Sequence, residues 1–182
     1  MTLLAAADSQ LVIVDIQERL APAIHDGAAA LKATLLMVAA AKRLGVPITV
    51  TEQYPKGLGP SVADLRAALP NDATVLSKMH FSAMRETDIA AHLAHHGRRS
   101  VIVCGMEAHV CVLQTALDAR RAGYDVYLAA DAVGSRVPFS VETALRRMER
   151  AGIHMVTSEM VAFEWMERAG TDDFKAIAPL LK

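Results

Sequence analysis

Short β-branched runs and longer stretches of helical period take turns along the chain. Residues 11–15 (LVIVD) are a continuous apolar run closed by a carboxylate, the pattern of a strand buried on both faces. Residues 27–44 repeat apolar side chains at helical spacing and stop at Gly45, with Pro47 just beyond. A second strand follows at 47–51 (PITVT), then the turn-rich YPKGLGP and a helix around 61–69. A weaker strand at 74–78 (TVLSK) leads to a helix over 85–96, ended by Gly97. The fourth strand, 100–105 (SVIVCG), precedes a helix over 109–122 closed by Gly123. A fifth strand at 125–130, a helix at 137–151 and a sixth strand at 153–157 continue the alternation, and the tail predicts helices near 158–168 and 172–181.

Strand–helix alternation of this kind implies a doubly wound α/β fold, a mostly parallel six-stranded sheet with helices on both faces. Right-handed crossovers place the C-terminal ends of the strands on one rim, where ligands bind in open α/β sheets. No repeat, low-complexity segment or linker divides the chain, so residues 1–182 read as one domain.

The polar residues that close the strands are therefore the candidates for chemistry. They are Asp15, the run Thr51-Glu52-Gln53, Lys78, the Cys104-Gly105 pair and Asp131. Cys111 follows the fourth strand in the first turn of the next helix. Asp15, Lys78 and Cys111 combine a carboxylate, an ammonium and a thiol, the parts of a nucleophilic site. Taken singly, each has an ordinary structural role: an Asp caps a turn, a Lys stays solvated, a Cys packs as a small hydrophobe. That role suits Cys104, inside its strand. Cys111 differs, because a helix N-terminus and a nearby lysine both lower a thiol's pKa and make it reactive. Asp131 reads as a fastener of the loop DAVGSR, and Arg136 as half of an ion pair.

Composition narrows the setting. Nineteen basic and twenty acidic residues give a net charge of −1, which favours neither a nucleic-acid nor a membrane-surface partner. No apolar run reaches the roughly 18 residues of a membrane span. The stretch MTLLAAADSQLVIVD has no basic leader, and two cysteines make no disulfide framework, so a reducing, cytoplasmic setting is expected. A hydrophobic content of 53% suggests surface buried between subunits. In the tail, Met160, Phe163, Trp165 and Met166 form a helical stripe that suits a core better than an interface.

Five stretches carry a resemblance: LVIVDIQERL (11–20), TEQYPKGLGP (51–60), SKMHFSA (77–83), VIVCGMEAHVCVLQTALDARRAGYDVYLAADAVGSR (101–136) and TSE (157–159). In this order they resemble the isochorismatase-like cysteine hydrolases, closest to the metal-free isochorismatase-domain-containing branch. The resemblance implies a Rossmann-like domain with an Asp15–Lys78–Cys111 triad. It also implies a cis peptide between Met106 and Glu107, and backbone N–H groups of Glu107 and Cys111 that face an oxyanion. The reaction it implies is hydrolysis of a small amide or related acyl compound through a thioester, by a homo-oligomer without cofactor.

Gln17, Glu52, Gln53, Tyr54, His80 and Phe81 are the pocket candidates; for Glu52 and Gln53, loop hydrogen bonding is an equal alternative. Nicotinamidases of this superfamily hold a metal through an Asp-x-His element after strand two. Here that stretch reads Thr51-Glu52-Gln53-Tyr54, so no catalytic metal is expected. The histidines at 92, 95 and 96 suit a helix C-terminus, and His109, two residues before Cys111, is no base for it. Two other readings remain. Isochorismate-type ether hydrolysis is disfavoured by Cys111, which members performing it lack. A non-catalytic binding or partner-interaction module would lack a G-x-G-x-x-G phosphate cradle after the first strand.

Overall fold

The computed structural model describes residues 3–181. Its strands are β1 (Ser9–Val14), β2 (Ile48–Gln53), β3 (Thr74–Lys78), β4 (Ser100–Met106), β5 (Asp125–Gly134) and β6 (His154–Val156). They form one sheet in the order β3-β2-β1-β4-β5-β6, and every neighbouring pair is parallel. The helices are α1 (Gly27–Leu44), a single turn α2 (Pro55–Leu58), α3 (Ala63–Ala68), α4 (Thr87–His95), α5 (Leu113–Arg121), α6 (Pro138–Arg150), α7 (Ser158–Met166) and α8 (Asp172–Ile177). The chain winds outward from β1 to β3, then returns to lay β4 against the other side of β1. That reversal is the switch point at which such sheets leave a crevice.

Side-chain alternation along β1 explains the two-sided core. Leu11 and Ile13 face one apolar cluster with Met37, Val38 and Trp165, while Val12 and Val14 face another with Ile89, Val112 and Met148. Burial on both faces is why the run Leu11–Val14 of β1 is wholly apolar and Asp15 follows only where the strand ends. The tail stripe divides accordingly. Trp165 and Met166 are buried, and the indole N–H donates to Ser9 Oγ at 3.0 Å; Met160 and Phe163 stay exposed.

Four expectations change. Strand five continues to Gly134 instead of ending at 130, because the β4–β5 ladder shifts register between Val103 and Gly105 and then resumes. Asp131 thus lies within β5, and its carboxylate accepts from Ser158 N at 2.7 Å and Ser158 Oγ at 2.6 Å. It fastens the start of α7 rather than its own loop. The helix expected over 109–122 opens as a π-helical turn, Ala108–Val112, before the regular α5. The helix expected to 181 gives way after Ile177 to a 3₁₀ turn, since Pro179 has no N–H to continue it.

Gly105 makes the switch point possible. Its φ is +117°, and a Cβ there would sit 2.0 Å from the carbonyl oxygen of Val14 on β1. Among the described residues, no helix is long and apolar enough to cross a membrane.

Candidate active site

Asp15 is the residue that leaves β1. Its φ of 53° is left-handed, a region that Asp enters more readily than most L-residues, and its side chain is wholly buried. The β1–β2 register sets Thr51 beside Val14, so that Thr51 Oγ1 donates to Asp15 Oδ1 at 2.7 Å. Lys78 ends β3, two strands from β1. Its Nζ reaches Asp15 Oδ2 at 2.7 Å and Gln53 Oε1 at 2.7 Å, with the carbonyls of Phe81 at 3.1 Å and His80 at 3.4 Å. Neither member of the ion pair touches solvent. Burying two charges costs several kcal/mol for each ion, and only close pairing with further hydrogen bonds offsets it. Burial raises the pKa of Asp15; the Lys78 charge and the hydrogen bonds from Lys78, Cys111 and Thr51 oppose that rise without cancelling it.

Cys111 lies in the π-helical turn and exposes 5% of its surface. Its Sγ is 4.0 Å from Gln53 Oε1, and its thiol and the Asp15 carboxylate perturb each other. Burial pushes this thiol up to about 12; Asp15 adds to the rise and Lys78 opposes it. The expected lowering is therefore overturned. Helix-end dipoles and one lysine do not outweigh lost hydration and an adjacent carboxylate. Cys104 is also raised to about 12 by burial, but its Sγ lies 3.9 Å from Val12 O in the other core cluster. Burial raises both thiols, and what separates them is their companions.

The pocket candidates separate by what they bind. Gln17 is buried and consumed by structure: Nε2 donates to Gln53 O at 3.0 Å and Gly59 O at 2.6 Å, while Oε1 accepts from Gln53 N at 2.8 Å. Glu52 accepts from Ser61 N at 2.6 Å and Ser61 Oγ at 2.8 Å, which pins the loop after α2. Gln53 belongs to the site itself, with Oε1 on Lys78 and Nε2 donating to Met79 O at 2.9 Å. Tyr54 and Phe81 are exposed on the rim, and the Tyr54 ring covers Gly57. His80 turns its Nδ1 to Glu86 Oε1 at 3.0 Å.

The Met106–Glu107 peptide is cis. The buried Glu107 carboxylate accepts from Arg136 N at 3.0 Å and Nε at 3.1 Å. His109 Nδ1 lies 3.0 Å from Ser135 Oγ, turned to the β5–α6 loop. His92 and His96 pair through Nε2 atoms 3.2 Å apart. Among the described residues, no three His, Cys, Asp or Glu side chains gather as a metal-holding group. Sequence reasoning named Thr51 among the polar residues closing strand two without giving it a partner, and passed over Glu86, inside the helix expected over 85–96.

Residues 9–160 match the family model described as the Isochorismatase domain. The chain belongs to the isochorismatase family. Members of this family are hydrolases. It is 38% identical over 178 residues to the secreted isochorismatase effector Isc1 of Phytophthora sojae, covering 96% of this chain and 84% of that one. The MAR1 ribonuclease structure from Caenorhabditis elegans superposes with a TM-score of 0.93 at 33% identity, over 99% of this chain and 92% of the other. The YcaC gene product of Escherichia coli, an octameric hydrolase of unknown specificity, gives a TM-score of 0.93 at 26% identity, over 100% and 90%. The isochorismatase fold thus accounts for nearly the whole chain, including the elements that carry Asp15, Lys78 and Cys111.

Proposed function

We propose that this protein is a cysteine-dependent hydrolase of a small amide or related acyl compound, with Cys111 as nucleophile, Asp15 as base and Lys78 as the fixed cation between charge states. The observation that carries this reading is the solvent-free Lys78–Asp15 pair at 2.7 Å, set against the thiol of Cys111. A structural ion pair has no need of a thiol beside it, and a packed thiol has no need of a buried carboxylate.

The raised thiol favours one order of events. Burial and the adjacent Asp15 carboxylate both disfavour a free thiolate at this sulfur. The proton therefore leaves as sulfur attacks: Asp15 takes it while Sγ bonds to the carbonyl carbon. Lys78 favours the ionised carboxylate that this step needs. The N–H groups of Glu107 and Cys111 then hold the oxyanion, each contributing about 3 kcal/mol or more to the transition state. The C–N bond breaks as protonated Asp15 gives its proton to the leaving amine, and a thioester remains. Water attacks that thioester with Asp15 again as base, releasing the acid and restoring the thiol. The sum is amide plus water to acid plus amine.

The decisive experiment is a screen of small amides, ureido acids and esters against wild type and Cys111→Ala. On any compound the wild type hydrolyses, the variant is expected to lose about 10³-fold or more of the rate. Undiminished turnover by Cys111→Ala removes the proposal.

Self-association belongs to the same reading. Tyr54, Met79, Phe81, Val137 and Phe139 are exposed apolar side chains just beyond the ends of β2, β3 and β5. The octameric relative supports burying such surface between copies. Light scattering is expected to report an oligomer, and a monomeric mass at micromolar concentration contradicts this part.

A further inference from the structure

Residues 79–81 present three successive carbonyls to the site. Met79 O accepts from Gln53 Nε2 at 2.9 Å, and His80 O and Phe81 O accept from Lys78 Nζ at 3.4 and 3.1 Å. A backbone that turns its carbonyls inward turns its N–H groups outward, and those donors need an acceptor of their own. Glu86, the residue before α4, supplies it with one oxygen. Its Oε1 accepts from Met79 N at 2.7 Å and His80 N at 2.9 Å, with His80 Nδ1 at 3.0 Å. The backbone bond from His80 leads, with that from Met79 and then the His80 ring, in drawing this carboxyl down to about 2. Consecutive N–H groups closing on an anion form a nest, here filled from within the chain.

We infer that Glu86 is a positioning residue: by tying the outer side of 79–81, it holds the carbonyl cage that keeps the Lys78 ammonium against Asp15. The inference rests on the reading of Asp15, Lys78 and Cys111 given above, but its test does not need a substrate. Glu86 touches no reacting atom. It acts through two peptide groups and one lysine, and so fixes the distance between the cation and the base.

The test is ¹⁵N NMR of the lysine ammonium groups in the full chain. A buried, hydrogen-bonded ammonium exchanges its protons slowly enough to be seen, and Lys78→Met assigns the signal by removing it. Glu86→Gln retains an acceptor oxygen, and its Lys78 signal is expected to exchange within twofold of wild type. Glu86→Ala is expected to speed that exchange at least tenfold, at a temperature well below its thermal transition. Glu86→Asp, too short to reach both N–H groups, is expected to do the same and decides the matter if the alanine variant does not fold. An unchanged Lys78 signal in the folded Ala or Asp variant overturns the inference, whatever Cys111→Ala does to turnover. A lost signal together with full turnover by Cys111→Ala supports the cage and removes the proposed reaction.

Discussion

Thr51 Oγ1 donates to Asp15 Oδ1 at 2.7 Å, on the carboxylate oxygen that Lys78 leaves free. The carboxylate is thereby fixed from β2 and from the end of β3, one oxygen to each. Removing the hydroxyl leaves a buried anionic acceptor short of a partner, at a cost of about 1.5–3 kcal/mol. Thr51→Val, nearly the same in shape, is expected to lose that much in urea denaturation and to raise the Asp15 pKa further. An unchanged midpoint would mean that the bond does not hold the Asp15 carboxylate.

The ion pair makes a second prediction. Lys78→Met leaves the Asp15 carboxylate buried without its cation, and Asp15→Asn does the reverse. Each single change is expected to cost about 3–5 kcal/mol. The double variant should cost less than their sum, with a coupling of about 1–3 kcal/mol in a double-mutant cycle. Asn suits the left-handed backbone at position 15, so the cycle reads the charge and not the fold. Additive losses would show that the two charges do not support each other.

The raised thiol predicts a pH dependence at the alkaline end. Its ordinary value is 9.0 and its folded value about 12, so above pH 9 the unfolded chain releases a proton that the folded chain keeps. The stability tied to this group is whole below pH 9 and is lost as pH climbs toward 12. Its slope is about 1.4 kcal/mol per pH unit. Wild type measured against Cys111→Ala by denaturation at pH 8, 9 and 10 isolates it from tyrosine and lysine titration. A constant difference across those three values would show that the thiol ionises as freely folded as unfolded.

Gly105 carries a backbone prediction. A methyl group at this position meets the carbonyl oxygen of Val14 at 2.0 Å, backbone against backbone, at φ +117°. Neither side can yield without parting β1 from β4 beside the candidate base. Gly105→Ala is expected to lose at least about 3 kcal/mol or fail to accumulate as folded protein. A melting temperature near wild type would contradict the close approach.

Asp15 and Lys78 stand out in the sequence because each is the charged residue that closes an apolar strand, and Cys111 because it opens the helix after β4. The family resemblance then selects these three from the other rim residues. Gln53 was open between loop and pocket, and only the fold puts it on Lys78. Thr51 is not legible, since its role depends on a β1–β2 register that no local pattern specifies. Glu86 is hidden for a similar reason: its partners are outward N–H groups created by carbonyls drawn inward. The sign of the Cys111 shift goes wrong because a helix start can be seen in the sequence, whereas the depth of burial and the nearness of Asp15 cannot. Asp131 misleads as a strand end because a register shift lets β5 run past it.

The two sulfurs stand on opposite faces of the sheet, Cys104 in the cluster with Met37 and Trp165, Cys111 in the cluster with Val112 and Met148. No internal disulfide can join them without unravelling β4. An oxidant that turns Cys111 into a sulfenic acid therefore meets no resolving thiol within the chain, and recovery depends on reductants from outside it. Past the sulfinic stage the damage is permanent, so the same seclusion that quiets the thiol at rest also leaves it without repair from its own fold.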